Sequence, residues 1–202
     1  MAWDSIERRR SGEHGVPLPK VYTGLDKPRK STTMNGMLLD PETGFFTMPT
    51  LTEFIQYEID GSAQTLRNEL HVTPLCLAAV DVGQPPDVAE VRQKFWEAVH
   101  GAVRQVTRTS DRVAREGDQH IMLLRRSMAA SLREHFAPRL TETINSACAD
   151  FGVVTVSLGI ASLVEHVAKS PGHLVRMAQR ALEESRTTGV PVVYDFRTML
   201  VT

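Results

Sequence analysis

The sequence predicts an α/β sandwich, one mostly antiparallel five-stranded sheet with helices on both faces. Three features of the chain carry this reading. Stretches of helical and strand period follow one another as helix, strand, helix, strand-strand, helix, strand, helix, strand. The segment Pro74 to Val82, PLCLAAVDV, is almost continuously apolar, the pattern of a strand covered on both faces. The segment Arg108 to Arg125 reads as a hairpin, with Val113 and Ala114 on one arm, Ile121 to Leu124 on the other, and Gly117-Asp118 supplying the turn.

Size and composition narrow the class. A chain of 202 residues is long enough to bury a substantial core, and its composition is that of an ordinary globular protein. A net charge of −1 argues against a general nucleic-acid or membrane-surface binder. Cys76 and Cys148 lie far apart and in no CxxC pattern, which makes a reducing, cytoplasmic setting the expectation. No apolar run reaches the ~20 residues of a membrane helix, and MAWDSIERRR lacks the apolar stretch of a secretory signal.

Charge is unevenly distributed. Residues 1–37 carry seven Lys/Arg against four Asp/Glu, a net of +3, which leaves −4 for the remainder of the chain. This arm contains Gly15, Pro17, Pro19, Gly24 and Pro28 and shows no regular period, so it reads as an extended segment, disordered or docked. The expected organisation is an N-terminal arm over 1–37 and one folded domain over 38–202.

Within the domain, Leu38 to Phe46 precede the first helix. Thr47 is placed to cap a helix with Pro49 in its first turn and Leu51, Phe54, Ile55 and Ile59 on one face; Gly61-Ser62 should end or weaken it. The apolar strand over 74–82 follows. Asp87 then suits the cap of a long helix whose buried stripe would be Val88, Val91, Phe95, Val99, Ala102, Val103 and Val106. After the hairpin, a helix from about Ser127 to Ala149 should bury Met128, Leu132, Phe136, Leu140 and Ile144, with Pro138 kinking or breaking it. Val153 to Leu163 reads as a strand. Ser170-Pro171 opens a helix that ends at Gly189, and Val190 to Phe196 reads as the last strand.

Several of these segments resemble the GGDEF domain, whose active members condense two GTP molecules into cyclic di-GMP. Asp40-Pro41-Glu42-Thr43-Gly44-Phe45 resembles the family's opening Asp-x-x-Thr-Gly-Leu, and Val153 to Ala161 resembles Val-Thr-Val-Ser-Ile-Gly-Val-Ala. Arg108-x-x-Asp111, Arg115 and Gly117 fall in register with the family's Arg-x-x-Asp and signature. The five signature positions read Gly117-Asp118-Gln119-His120-Ile121, so only the first glycine matches. Asp81 matches a magnesium-binding aspartate of the family, while the second aspartate of that motif is replaced by Gly83. Arg186 keeps a cation of the late helix. The fold implied is the palm-like sandwich of nucleotide cyclases, which agrees with the element order.

The resemblance also implies a division of roles. Phosphoryl condensation needs divalent metal held by hard carboxylate oxygens. Gln119 and His120 supply none, Asp81 is vestigial, and Asp118 would oppose a phosphate, so no catalytic residue is assigned and no metal or cofactor is expected. His120 is expected to be a solvent-exposed loop histidine. The remaining histidines (His14, His71, His100, His135, His166 and His173) form no recognisable cluster.

What remains in register is the family's product-binding site: Arg108 and Asp111, completed by Arg139 on the next helix. Arginine forks onto guanine O6/N7 or onto phosphate, and a carboxylate accepts from guanine N1 and N2. The expected ligand is therefore cyclic di-GMP, and the expected function that of a non-catalytic receptor in bacterial signalling. Its output would be an altered contact with an unidentified signalling protein, with residues 1–37 a candidate contact and ligand-bridged homodimerisation another. The alternative is a ligand-independent scaffold in which Arg108 and Asp111 form a surface pair; a residual cyclase is the third reading.

Overall fold

The computed structural model describes residues 38–67, 74–152, 154–163 and 170–194. The arm over 1–37 and the stretch from Asn68 to Thr73 lie outside the described residues. The elements are α1 (Met48–Arg67), β1 (Leu75–Asp81), α2 (Ala89–Val106), β2 (Arg112–Glu116), β3 (Gln119–Arg125), α3 (Ala129–Ser131), a π turn (Leu132–Phe136), α4 (Ala137–Ala147), a 3-10 turn (Ala149–Phe151), β4 (Ser157–Leu163), α5 (Pro171–Thr188) and β5 (Val192–Tyr194). The sheet order is β2-β3-β1-β4-β5. Every neighbouring pair is antiparallel except β4 and β5.

β1 sits at the centre because its side chains are apolar on both faces. Cys76, Ala78 and Val80 join the core beneath α2 and α4, with Phe95, Val103, Leu140 and Ile144. Leu75, Leu77 and Ala79 join the opposite core, with Leu51 and Ile55 of α1 and Leu174 and Leu182 of α5. The alternation follows from the two-residue period of a strand. Burial of a Leu or Ile of this kind is worth about 1.5–3 kcal/mol each, so both faces contribute heavily.

β4 approaches α5 more closely than a side chain would permit. A Cβ at Gly159 would lie 2.1 Å from the Leu182 backbone nitrogen and 2.3 Å from the Ala178 carbonyl oxygen. The glycine therefore serves backbone contact between strand and helix. Ser185 Oγ adds a buried acceptor for the Leu158 N–H at 3.0 Å.

Several expectations need correction. α1 runs through Gly61-Ser62 to Arg67 without ending there. The N-cap of α2 is Val88, extended and without a side-chain bond; Asp87 supplies only a carbonyl to Arg92. Val88 and Val91 are exposed, and the buried face of α2 starts only at Phe95. Met128 is also exposed, at 64 %. β4 starts at Ser157, four residues later than the apolar pattern suggests, and β5 is described only over Val192–Tyr194. Ser170 and Gly189 behave as expected: Ser170 Oγ accepts from His173 N–H, and Gly189 takes φ 71°.

The helix after β3 shows what Pro138 does. Proline has no N–H, so the carbonyl four residues earlier loses its helical partner. The chain widens into a π turn just before it, in which Ala137 N–H reaches back five residues to Leu132 O. The helix resumes as α4 with the proline in its first turn.

Candidate functional site

The hairpin β2–β3 has a polar cleft at each end. At the end where the chain enters β2, a cleft of about 410 Å³ is lined by Arg108, Asp111, Arg126, Leu132, His135 and Arg139, among others. The structure thus brings the three predicted residues, Arg108, Asp111 and Arg139, to one cavity. Its floor is apolar, with Val106, Leu124 and Phe136 buried in the core beside it.

Local bonding explains the arrangement. Asp111 N–H donates to Arg108 O at 3.0 Å, closing the turn between α2 and β2. The Asp111 carboxylate accepts from Arg108 N–H at 2.8 Å and from Arg125 N–H at 3.3 Å, so it ties this turn to the end of β3. Arg139 Nη2 donates to Val106 O at 2.7 Å, a helix-terminal carbonyl that α2 itself leaves open. Among the described residues the Arg108 guanidinium has no hydrogen-bond or ion-pair partner.

The other end carries the signature positions. Gly117 at φ 60° and Asp118 make a two-residue turn, so Gln119 and His120 belong to β3 and not to a tip loop. His120 is 0 % exposed, contrary to the expectation of a solvent-exposed histidine. The reason is register. His120 pairs with Val80 across β1 and faces the α2 side, where Phe45, Trp96 and His100 enclose it at ring distances of 5.7, 6.0 and 5.2 Å.

His100 and His120 therefore do form a cluster, which their separation in sequence concealed. Neither His120 ring nitrogen, nor Nε2 of His100, has a hydrogen-bond partner among the described residues. Burial, the neighbouring His100 and Arg115 hold the His120 pKa down at about 3. Burial, Arg115 and Arg104 hold that of His100 at about 4, against a smaller upward pull from Asp40 and Glu97. Both rings are neutral at pH 7.

Above this cluster lies the second cleft, about 630 Å³, lined by Glu42, Arg92, Trp96, His100, Arg115 and Asp118 among others. Its charges are engaged. Arg115 stacks over Trp96 at 4.9 Å and pairs with Glu42 and Asp118 at 3.6 and 3.8 Å. Arg104 lies 5.0 Å over Phe45 and donates to Thr43 O. The opening turn is closed by Asp40, whose carboxylate accepts from Thr43 Oγ1 and Glu42 N–H; the hydroxyl bond holds its pKa below the ordinary carboxylate range.

Asp81 lies opposite Gln119 in the sheet, at the edge of this region. Its Oδ2 is bound by Arg186 Nε at 2.8 Å, and Arg186 also pairs with Glu183. Gly83 has φ 70°, a conformation that disfavours an aspartate in its place. These residues do not fit a magnesium site: one carboxylate is neutralised by arginine, Gln119 is uncharged and His120 is turned into the core. No group of three or more His, Cys, Asp or Glu among the described residues is arranged to hold a metal ion.

No protein-family model matches the sequence, and no curated protein matches it. Solved structures do. The GGDEF domain of DgcB from Caulobacter crescentus, in complex with c-di-GMP, is similar at TM-score 0.62 and 18% identity over 80% of this chain and 96% of that one. The GGDEF domain of PA1120 (TpbB or YfiN) from Pseudomonas aeruginosa follows at TM-score 0.60 and 16% identity, covering 81% and 98%. The diguanylate cyclase SiaD of Pseudomonas aeruginosa, in complex with its activator SiaC, has TM-score 0.56 and 19% identity over 78% of this chain and 61% of that one. The five-stranded, mostly antiparallel sheet with its helices has the fold of a GGDEF domain.

Proposed function

We propose that this protein is a non-catalytic receptor for cyclic di-GMP, which it holds in the cleft of Arg108, Asp111 and Arg139. The observation that carries this reading is the convergence of those side chains on one cavity, with the Arg108 guanidinium unpaired among the described residues. An anionic, planar dinucleotide suits such a cleft: guanidinium forks take phosphate or guanine, and the apolar floor takes a base. Cyclase chemistry is not assigned, because among the described residues the signature end offers no set of free carboxylates for metal. The output is a changed protein contact, through residues 1–37, a signalling partner or a ligand-bridged second copy. The complexes of DgcB with c-di-GMP and of SiaD with SiaC illustrate both kinds of partner on this fold.

The experiment is a calorimetric titration with cyclic di-GMP. Binding by the wild type that is lost in Arg108→Ala supports the receptor. One observation favours a second reading, a ligand-independent scaffold: both Asp111 oxygens already accept backbone N–H groups, as a purely structural brace would. Absence of heat at high ligand concentration selects the scaffold. Formation of cyclic di-GMP from GTP and Mg²⁺ would overturn both.

A further inference from the structure

Arg126, just after β3, has φ 54°, the one positive value at a non-glycine position among the described residues. Left-handed backbone is unfavourable for a residue with a Cβ, and glycine or asparagine would fit it with less strain. The strain is retained where the side chain lines the Arg108–Arg139 cleft. Among the described residues the Arg126 guanidinium has no hydrogen-bond or ion-pair partner. Its neighbour Arg125 differs, since it is paired with Glu58 at 2.7 Å.

The surrounding backbone is fixed. Asp111 holds Arg125 N–H, Ser127 Oγ donates to Arg125 O, and Cys76 Sγ donates to Ser127 O. Arg126 is thus presented on a pinned segment, and the same carboxylate that fixes it also fixes the Arg108 turn.

We infer that Arg126 is a ligand-binding residue of this cleft, a third arginine that contacts a phosphate of the bound dinucleotide, with Asp111 bracing the two arginine-bearing turns. This rests on the cyclic di-GMP reading. The ligand has two phosphodiester charges, and three guanidiniums in one cleft with a single engaged carboxylate suit a dianion.

The test titrates the full chain with cyclic di-GMP at two ionic strengths, comparing wild type, Arg126→Ala, Arg126→Gly, Arg126→Lys and Arg108→Ala. Arg126→Ala and Arg126→Gly are expected to weaken binding at least about tenfold and to flatten its dependence on salt. Arg126→Gly should do so while raising Tm, because glycine accepts the positive φ; this separates a lost contact from a damaged fold. Arg126→Lys should keep the salt dependence and recover part of the affinity. Wild-type affinity and salt dependence in both Arg126→Ala and Arg126→Gly, with Arg108→Ala inactive, overturns the role of Arg126 and leaves the receptor standing. No binding by wild type overturns both.

Discussion

The two ends of the β2–β3 hairpin carry similar numbers of charged residues and treat them oppositely. At the signature end, Asp81 is bound to Arg186, Arg115 is stacked on Trp96 and paired with Glu42 and Asp118, and His120 is enclosed by aromatic rings. At the other end, Arg108 and Arg126 face a cleft with no partner among the described residues. The first region has folded its polar groups into itself. The second holds its cations at a cavity that an anion would complete. This difference is what the proposed binding site rests on besides the sequence motif.

The largest effect is expected from putting an acid back at the signature end. His120→Glu restores a carboxylate to that position, yet places it among Phe45, Trp96 and His100 with no cation bonded to it. The expected cost is about 3–5 kcal/mol of folding stability, read by chemical denaturation, with no cyclase activity gained. Near-wild-type stability would mean that this end is open enough for a charge.

Acid should weaken the same region next. His100 and His120 have folded-state pKa values depressed below that of the unfolded chain, so they contribute full stability above about pH 6.5. As pH falls from there toward about 4, the unfolded chain takes up protons that the native state cannot, and stability is lost at about 1.4 kcal/mol per pH unit for each histidine. Arg115 and Arg104 nearby reinforce the trend, while Asp40 and Glu97 moderate it. Denaturation curves between pH 7 and 5 should show the slope, and His120→Phe should flatten it by about half.

Smaller effects distinguish brace from ligand contact. Asp111→Ala removes the acceptor of two backbone N–H groups and should cost about 1–2 kcal/mol, with ligand affinity falling because both arginine turns loosen. Arg186→Ala breaks a partly exposed pair with Asp81 and should cost about 0–1 kcal/mol without affecting the ligand. A large loss of affinity in the second variant would join the two ends of the hairpin functionally.

Much of this architecture is legible in the sequence, because the relevant signals are local or periodic. The apolar run around Cys76 to Val80 fixes a two-faced central strand, and Ser170, Pro171 and Gly189 mark the ends of α5 by capping chemistry alone. Arg108, Asp111 and Arg139 come from the family resemblance, counted in register from Gly117, and they line one cleft. What the sequence hides depends on register and long-range packing. His120 looks polar and exposed beside a turn, but its position opposite Val80 turns it inward toward His100, twenty residues away. Val88, Val91 and Met128 fit a buried stripe and yet are exposed. Arg126 belongs to no motif, and its left-handed backbone appears only in three dimensions.

In the proposed receptor, Arg108 and Arg139 both touch the bound dinucleotide. The decisive measurement is calorimetry with cyclic di-GMP on wild type, Arg108→Ala and Arg139→Ala, with Tm recorded for each. A receptor should show saturable binding by wild type and its loss in Arg108→Ala at unchanged Tm, with at least a tenfold weakening in Arg139→Ala, about 1.4 kcal/mol. Equal heats for all three proteins, or none from the wild type, would overturn the receptor.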